Sequence, residues 1–262
     1  MTDFTVRLIT FGSSHYCERA RWALDWHNIA YDEIGWPPGL HQVLAKRCGA
    51  AASTLPILLD GETVIQDSGA IIDWADSKAD DPTRSLEPRG NLNEAREIEA
   101  RANEVIGIHV RRLAYAEMLP KHSNLAKRAL FHKTSGWHRI VGDMMWPVTC
   151  RIMMRSMDIR PGAAAESRLK LESELDWLDS QLADGRAYLA GDRFSRVDLT
   201  VASLLAGLAR PLEMPAYRDM QVSDALAADV ERWSERPSMR WVITQYEAHR
   251  GPSGTGVRRA AA

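Results

Sequence analysis

Cysteine is scarce in this 262-residue chain: three residues, Cys17, Cys48 and Cys150, far apart from one another. That number and spacing exclude the disulfide framework of a small secreted domain, and a reducing compartment is expected. Long apolar runs are lacking too. None approaches the ~18 residues needed to cross a bilayer, so no membrane-spanning segment is expected. The opening residues Met1-Thr2-Asp3-Phe4-Thr5 do not show the basic-then-apolar order of a secretory leader. A cytoplasmic protein is the expectation. Nor does charge of either sign dominate. Lys and Arg number 33 against 35 Asp and Glu, a formal net charge of −2. No whole-chain electrostatic attraction to nucleic acid or to an anionic membrane follows.

What is present is ordinary for a globular chain, with 45% hydrophobic and 26% charged residues. Tryptophan is the exception, at nine residues. Trp22, Trp26, Trp74, Trp177, Trp233 and Trp241 fall in segments with helical spacing and are expected in cores. Trp137 and Trp146, in a less regular stretch, are candidates to line a pocket.

Residues 4–11, β-branched and aromatic, read as a strand that Gly12 breaks. Residues 15–28 carry helical spacing, with Cys17, Ala20, Ala23 and Leu24 on an apolar face and Glu18, Arg19, Arg21 and Asp25 expected outside it. Ile29 to Ile34 reads as a second short strand. The two strands of such a βαβ unit should be parallel. Residues 35–39 hold Pro37-Pro38 and form a loop, and 40–48 allow a short helix. Strands over 55–60 and 62–66 flank Asp60-Gly61, a strong hairpin signal. A helix over 68–79 opens at Ser68.

Residues 81–93, polar and punctuated by Pro82, Pro88 and Gly90, read as a linker between a first domain over 1–80 and a second over 94–250. The second domain shows no strand. Its helical patterns cover 93–118, 124–145, 163–183, 197–208 and 229–248, with Pro147 and Pro161 as interruptions. The end, 251–262, is expected to be disordered. An α/β head followed by an all-helical body is the expected fold class. One helix start is written with particular clarity: Ser195 as N-cap, Asp198 three residues on, and Phe194 and Leu199 as a hydrophobic staple.

Three places in the head carry residues suited to chemistry. Ser13-Ser14 sits where a helix begins, at free N–H groups and the positive end of the dipole. A thiolate held there and hydrogen-bonded to a hydroxyl gains roughly 1.5–3 kcal/mol, or about one to two pKa units. The same serine also suits a simple cap. Leu55-Pro56 opens a strand. If the bond is cis, the Leu55 N–H and C=O face outward and can pair with an extended peptide; a trans proline merely starts the strand. Asp67-Ser68 at a helix start suits a zwitterion, Asp67 taking an ammonium and the free N–H groups a carboxylate. An ordinary cap is the plain alternative.

In their order and spacing these pieces resemble the cytosolic glutathione transferases. Ser14-His15-Tyr16-Cys17-Glu18-Arg19 is similar to that family's active-site turn, Thr54-Leu55-Pro56 to its cis-proline turn, Gln66-Asp67-Ser68 to its γ-glutamyl-binding pair, and Gly191-Asp192 through Asp198 to its second-domain helix cap. The resemblance runs from Val6 to about Tyr246. It implies a thioredoxin-like N-terminal domain followed by an all-α helical C-terminal domain. It implies glutathione as co-substrate, no metal, an electrophilic small-molecule partner, a role in detoxification and a homodimer.

Residue by residue, the resemblance implies that Ser14 is catalytic and holds the thiolate. Leu55 and Pro56 would receive the cysteinyl unit, Asp67 and Ser68 the γ-glutamyl end, and His41 (with Lys46 as alternative) the glycyl carboxylate. Tyr16, His109, Arg112 and Tyr115 are the candidate second-substrate residues, the last three alternatively a solvated helix face. The tetrad Ser14–Cys17 looks like a redox Cys-x-x-Cys that lacks its first cysteine. Cys17 is then either packing or a redox thiol of a glutathione-dependent reductase or dehalogenase. A non-catalytic glutathione-binding or interaction module of the same fold is the other alternative.

Overall fold

The structure is a computed structural model and describes residues 6–251. Of the expected disordered tail over 251–262, all but Gly251 lies outside the described residues, as do Phe4 and Thr5 of the first expected strand. The chain divides into two compact units. Among the described residues the first holds the head, residues 6–85, together with Lys127–Thr149 and Arg250–Gly251; the second holds Leu86–Ala126 and Cys150–His249.

The head follows the order β1 (Val6–Thr10), α1 (His15–Trp26), β2 (Asp32–Gly35), α2 (Leu40–Arg47), β3 (Ile57–Asp60), β4 (Thr63–Gln66) and α3 (Ser68–Ser77). Its four strands lie in the order β2-β1-β3-β4. β1 and β2 are parallel, as the βαβ connection requires, with Ile9 opposite Ile34. The β3–β4 pair is the expected hairpin, antiparallel, with Asp60 opposite Thr63. The core here is Ile9, Cys17, Trp36, Leu44, Leu55 and Ile57.

One expectation for α1 is corrected. Glu18, Arg19, Arg21 and Asp25 are not on an outer face: they are 0%, 2%, 4% and 6% exposed. Each is buried against a partner of opposite charge or a polar group supplied by another element, which is the condition under which buried charge is tolerated. Arg21 meets Glu33 of β2 at 2.7 Å, Arg19 Nη1 donates to Ser68 Oγ of α3 at 3.5 Å, and Glu18 and Asp25 both meet Arg250.

Residues 127–149 also depart from the expected division, which placed them in the helical body. They pack with the head. Leu130 O accepts from Gly12 N at 3.1 Å, and a Cβ on Gly12 would lie 2.7 Å from His132 Cβ. Lys133 Nζ approaches Glu33 at 3.6 Å. Trp146 is buried edge-on against Phe131, ring centroids 5.6 Å apart, while Trp137 is 54% exposed.

Helices dominate after the head. α4 (Leu92–Arg101) passes through a π-turn at Ala102–Ile106 into α5 (Gly107–Leu130), and α6 (Gly136–Ser156), α7 (Ala163–Gln181), α8 (Arg196–Ala209) and the short α9 (Pro215–Arg218) follow. Pro147 lies within α6 rather than interrupting it. The expected last helix is two, α10 (Asp224–Trp233) and α11 (Pro237–His249), because Pro237 opens a new helix in the position proline favours. α8 is the buried centre of the second unit, with Val197 and Leu199 to Leu205 inside. Its capping box is formed as expected: Val197 N donates to Ser195 Oγ, and Asp198 Oδ2 accepts from Ser195 N at 2.9 Å.

Candidate functional site

The strand register assembles the site. Ile9 near the end of β1 lies opposite Ile57 at the start of β3, and Ile57 lies opposite Gln66 at the end of β4. The segments that continue from those three points are Phe11–Ser14, Leu55–Pro56 and Asp67–Ser68. One end of one sheet therefore carries all three.

Ser14 is the N-cap of α1, in extended backbone (φ −81°, ψ 124°), and its Oγ accepts from Cys17 N at 3.4 Å. The hydroxyl thus does the capping work expected of it, and being half-buried it keeps an open side. Cys17 below it is fully buried, its sulfur accepting from Phe11 N at 3.4 Å. Burial pushes the Cys17 thiol up, against the lowering pull of Arg21, Ser14 and Phe11. A reactive thiol needs access and a depressed pKa; Cys17 has neither. Tyr16 is half-buried, its ring edge-on to His15 at 4.5 Å.

The Leu55-Pro56 peptide bond is cis. Leu55 itself is buried, yet its main-chain N–H and C=O make no hydrogen bond to a described residue. Such groups seldom stay unpaired unless water or a ligand takes them. The loop before them is held by Gln66, which sequence reasoning passed over. Its Oε1 accepts from Ala52 N at 2.8 Å, and its Nε2 donates to Ala52 O at 2.7 Å and Thr54 O at 2.9 Å. One amide side chain thereby ties the proline turn to the strand that leads into Asp67. The only signal in the sequence was a polar residue at the last strand position.

At the third segment the cap differs from expectation. Asp67, not Ser68, is the N-cap of α3, and its Oδ1 accepts from Gly69 N at 2.7 Å. Asp67 is exposed and adopts φ 82°. A left-handed φ with extended ψ is costly for any residue but glycine and concentrates at ligand sites. Ser68 is buried, accepting from Arg19. Arg19 thus links the helix behind Ser14 to the helix behind Asp67.

His41 in α2 accepts at Nδ1 from Gly39 N at 3.0 Å and stacks edge-on against Phe11 at 4.9 Å. Burial lowers its imidazole to about 4, outweighing the backbone of Pro37 and Ser53. It is neutral at pH 7 and shapes the loop rather than offering a cation. Lys46, in the last turn of α2, is exposed.

The remaining candidates belong to the second unit. His109 Nδ1 lies 3.2 Å from Ser167 Oγ, and burial, with Arg112 and Lys170, lowers its pKa. Arg112 spends its donors on the α6–α7 connection: Met157 O, Ala163 O, Asp158 and Glu166. That is the pattern of a residue fixing a loop. Tyr115 is half-buried. A cavity of about 540 Å³ in this unit is lined by Ala116, Pro120, Lys121, Met154 and Ile159 among others, and none of His109, Arg112 and Tyr115 lines it. Among the described residues no group of three or more His, Cys, Asp or Glu is placed to hold a metal ion. No helix among them is long and apolar enough to cross a membrane.

The comparisons with known proteins bear on the family and the fold. The model of the glutathione S-transferase N-terminal domain matches residues 8–83, and that of the glutathione S-transferase C-terminal domain matches residues 161–236. Lys127–Thr149 lies outside both. No curated protein sequence matches the chain. Among solved structures, the fold is similar to β-etherase LigF from Sphingobium sp. strain SYK-6, at TM-score 0.56 and 16% identity over 92% of this chain and 99% of that one. It is similar as well to the theta class glutathione S-transferase of Xanthomonas axonopodis pv. citri with glutathione bound, at TM-score 0.55 and 16% identity over 91% and 97%. A possible glutathione S-transferase from Rhodopseudomonas palustris gives TM-score 0.57 at 12% identity, over 97% and 100%. With a thioredoxin-like head, a helical second unit and both domain models of one family matched in order, the chain belongs to the glutathione S-transferase family.

Proposed function

We propose that the protein is a glutathione transferase in which Ser14 and the N-terminus of α1 hold the glutathione thiolate for attack on an apolar electrophile. The observation that carries this reading is the Leu55 main chain, without a hydrogen bond to any described residue and set between Ser14 and Asp67 at one end of the sheet. The cysteinyl unit pairs with Leu55 as an added strand, beside Pro56. The γ-glutamyl ammonium meets Asp67, and its carboxylate meets Ser68 and the first N–H groups of α3. His41 shapes the pocket for the glycyl end and Lys46 supplies a cation. Tyr16, in the same unit as Ser14, remains the candidate for contact with the electrophile; Arg112 is assigned to the loop it fixes. The working form is a cytoplasmic homodimer.

Catalysis in this reading is thiol activation and positioning. Loss of a hydroxyl bond worth about 1.5–3 kcal/mol raises the bound thiol by about one to two pKa units. Ser14→Ala should therefore lower turnover of a generic aryl electrophile at neutral pH by about 10- to 100-fold, with glutathione affinity by calorimetry little changed. Full activity in Ser14→Ala with glutathione bound would remove Ser14 from catalysis. No uptake of glutathione by the wild type would remove the whole reading. The reading through Cys17 loses support from the burial of its sulfur; Cys17→Ser should keep the activity.

A further inference from the structure

Three carboxylates and three cations lie against one another behind the Ser14 turn, all within the first unit: Glu18, Asp25 and Glu33 with Arg21, Lys133 and Arg250. Arg250, the residue directly after α11, is fully buried, its Nε donating to Glu18 Oε1 at 2.7 Å and its Nη1 to Asp25 Oδ2 at 2.8 Å. Glu18 in turn faces Arg21 Nη1 at 3.6 Å. Arg21 Nε donates to Glu33 Oε1 at 2.8 Å, and Thr10 Oγ1 donates to the same oxygen at 2.8 Å. The far end of the chain of charges is the site itself: Arg21 Nη2 donates to the carbonyls of Phe11 at 3.1 Å and Gly12 at 3.3 Å. Those two residues form the turn whose next members are Ser13 and Ser14. Cys17, Tyr31 and His132 are also within electrostatic reach.

We propose that Arg21 and Arg250 are positioning residues for the thiolate site: Arg21 fixes the Phe11–Ser14 turn from behind, and Arg250, brought from the end of the last helix, keeps the cluster beneath it neutral. The inference deepens the glutathione reading and rests on it. A buried ion deprived of its partner is strongly unfavourable, so removing one member leaves a net charge close under the turn. Glu18 is one helical turn from Ser14, about 6 Å along the axis. At an effective dielectric of ~20–40 and about 10–12 Å, a unit charge shifts a thiol by about half to one pKa unit. The sign follows the charge left behind. Arg250→Met leaves an extra negative charge and disfavours a thiolate, whereas Glu18→Gln leaves an extra positive one and favours it.

The test uses Arg250→Met, Glu18→Gln, the double variant that restores neutrality, and Arg250→Lys. The thiol pKa of bound glutathione is read from the ultraviolet absorbance of its thiolate. The expected result is a rise of about half to one unit in Arg250→Met, a fall of similar size in Glu18→Gln, and values near wild type in the double variant and Arg250→Lys. Same-sign shifts in the two single variants, or no shift, overturn the proposal. Should Arg250→Met fail to fold, Glu18→Gln against the double variant carries the same comparison. A second readout needs no glutathione: amide exchange at Gly12, Ser14 and Cys17 should quicken about tenfold or more in Glu18→Gln and Arg250→Met, with exchange in β4, and in Arg250→Lys throughout, near wild type. Unchanged exchange at the turn overturns the proposal. If the wild type takes up no glutathione, that reading falls and the exchange result alone decides this one.

Discussion

Replacing Glu33 by glutamine should cost this protein stability in a way that depends on pH, and the structure sets both the size and the sign. The Glu33 carboxylate meets Arg21 at 2.7 Å and Lys133 at 3.6 Å, and accepts from Thr10 Oγ1 at 2.8 Å. Burial works to raise its pKa, but Arg21, Lys133 and the hydrogen bonds outweigh it and hold the group at about 2, against 4.5 for a free glutamate. Because the folded pKa lies below the unfolded one, the contribution is fully present above about 4.5 and is lost as pH falls through about 2. Two and a half pKa units amount to about 3 kcal/mol. Leaving Arg21 buried without its partner makes about 3–5 kcal/mol the expected cost of Glu33→Gln at pH 7. Urea unfolding followed by circular dichroism, wild type against variant from pH 7 to pH 2.5, measures it. The difference should hold from pH 7 to about 5 and shrink below. A difference that stays constant down to pH 2.5, or one under 1 kcal/mol at pH 7, would show that the carboxylate is not what Arg21 depends on.

Asp198 should behave with the opposite sign. Burial raises it to about 6 against the lowering pull of Leu189 N, Ser195 Oγ and Ser195 N. With the folded pKa above the unfolded 3.8, the folded state binds more protons in between. The advantage of wild type over Asp198→Asn should therefore grow as pH is lowered from about 6 to 4, readable by the same denaturation; growth with rising pH would refute it. Gly12→Ala places a Cβ 2.7 Å from His132 Cβ and 2.8 Å from Ala129 O. It should cost about 1–3 kcal/mol by overpacking and displace the Ser14 turn, seen as weakened glutathione binding in calorimetry; a neutral effect on both would contradict that close approach. Gln66→Ala frees the loop of Ala52 and Thr54 and should weaken glutathione about tenfold, as loss of a turn's preorganisation would, with the melting temperature little changed. Unaltered affinity would show that the loop is held without it.

What could be read in the sequence was local. The strands, the Asp60-Gly61 hairpin, the Ser195 capping box and the three site segments each announce themselves within a few residues, because turns and caps are short-range chemistry. The cap at Asp67 was missed by one position, since serine and aspartate are about equally good N-caps. What could not be read was whatever depends on a distant partner. Periodicity assigned Glu18, Arg21 and Asp25 to an outer face, as it must when charge is taken as a marker of exposure. The structure buries them because Arg250 arrives from 232 residues away in sequence to meet Glu18. The packing of residues 127–149 on Gly12 and Gly35 is hidden for the same reason. Both glycines read as turn residues, yet added Cβ atoms would strike His132 and Lys133. That coupling has a consequence for the site. The turn bearing Ser14 is gripped on one side by a segment that lies outside both matched domain models and on another by a cation balanced from the end of the last helix. The short motifs around Ser14 therefore specify which groups meet the tripeptide, while segments remote in sequence fix the backbone that presents them. Exchanging the Ser14–Arg19 motif into a relative that lacks Glu18–Arg250 and the Gly12–Leu130 contact should not carry the thiol pKa of this protein with it.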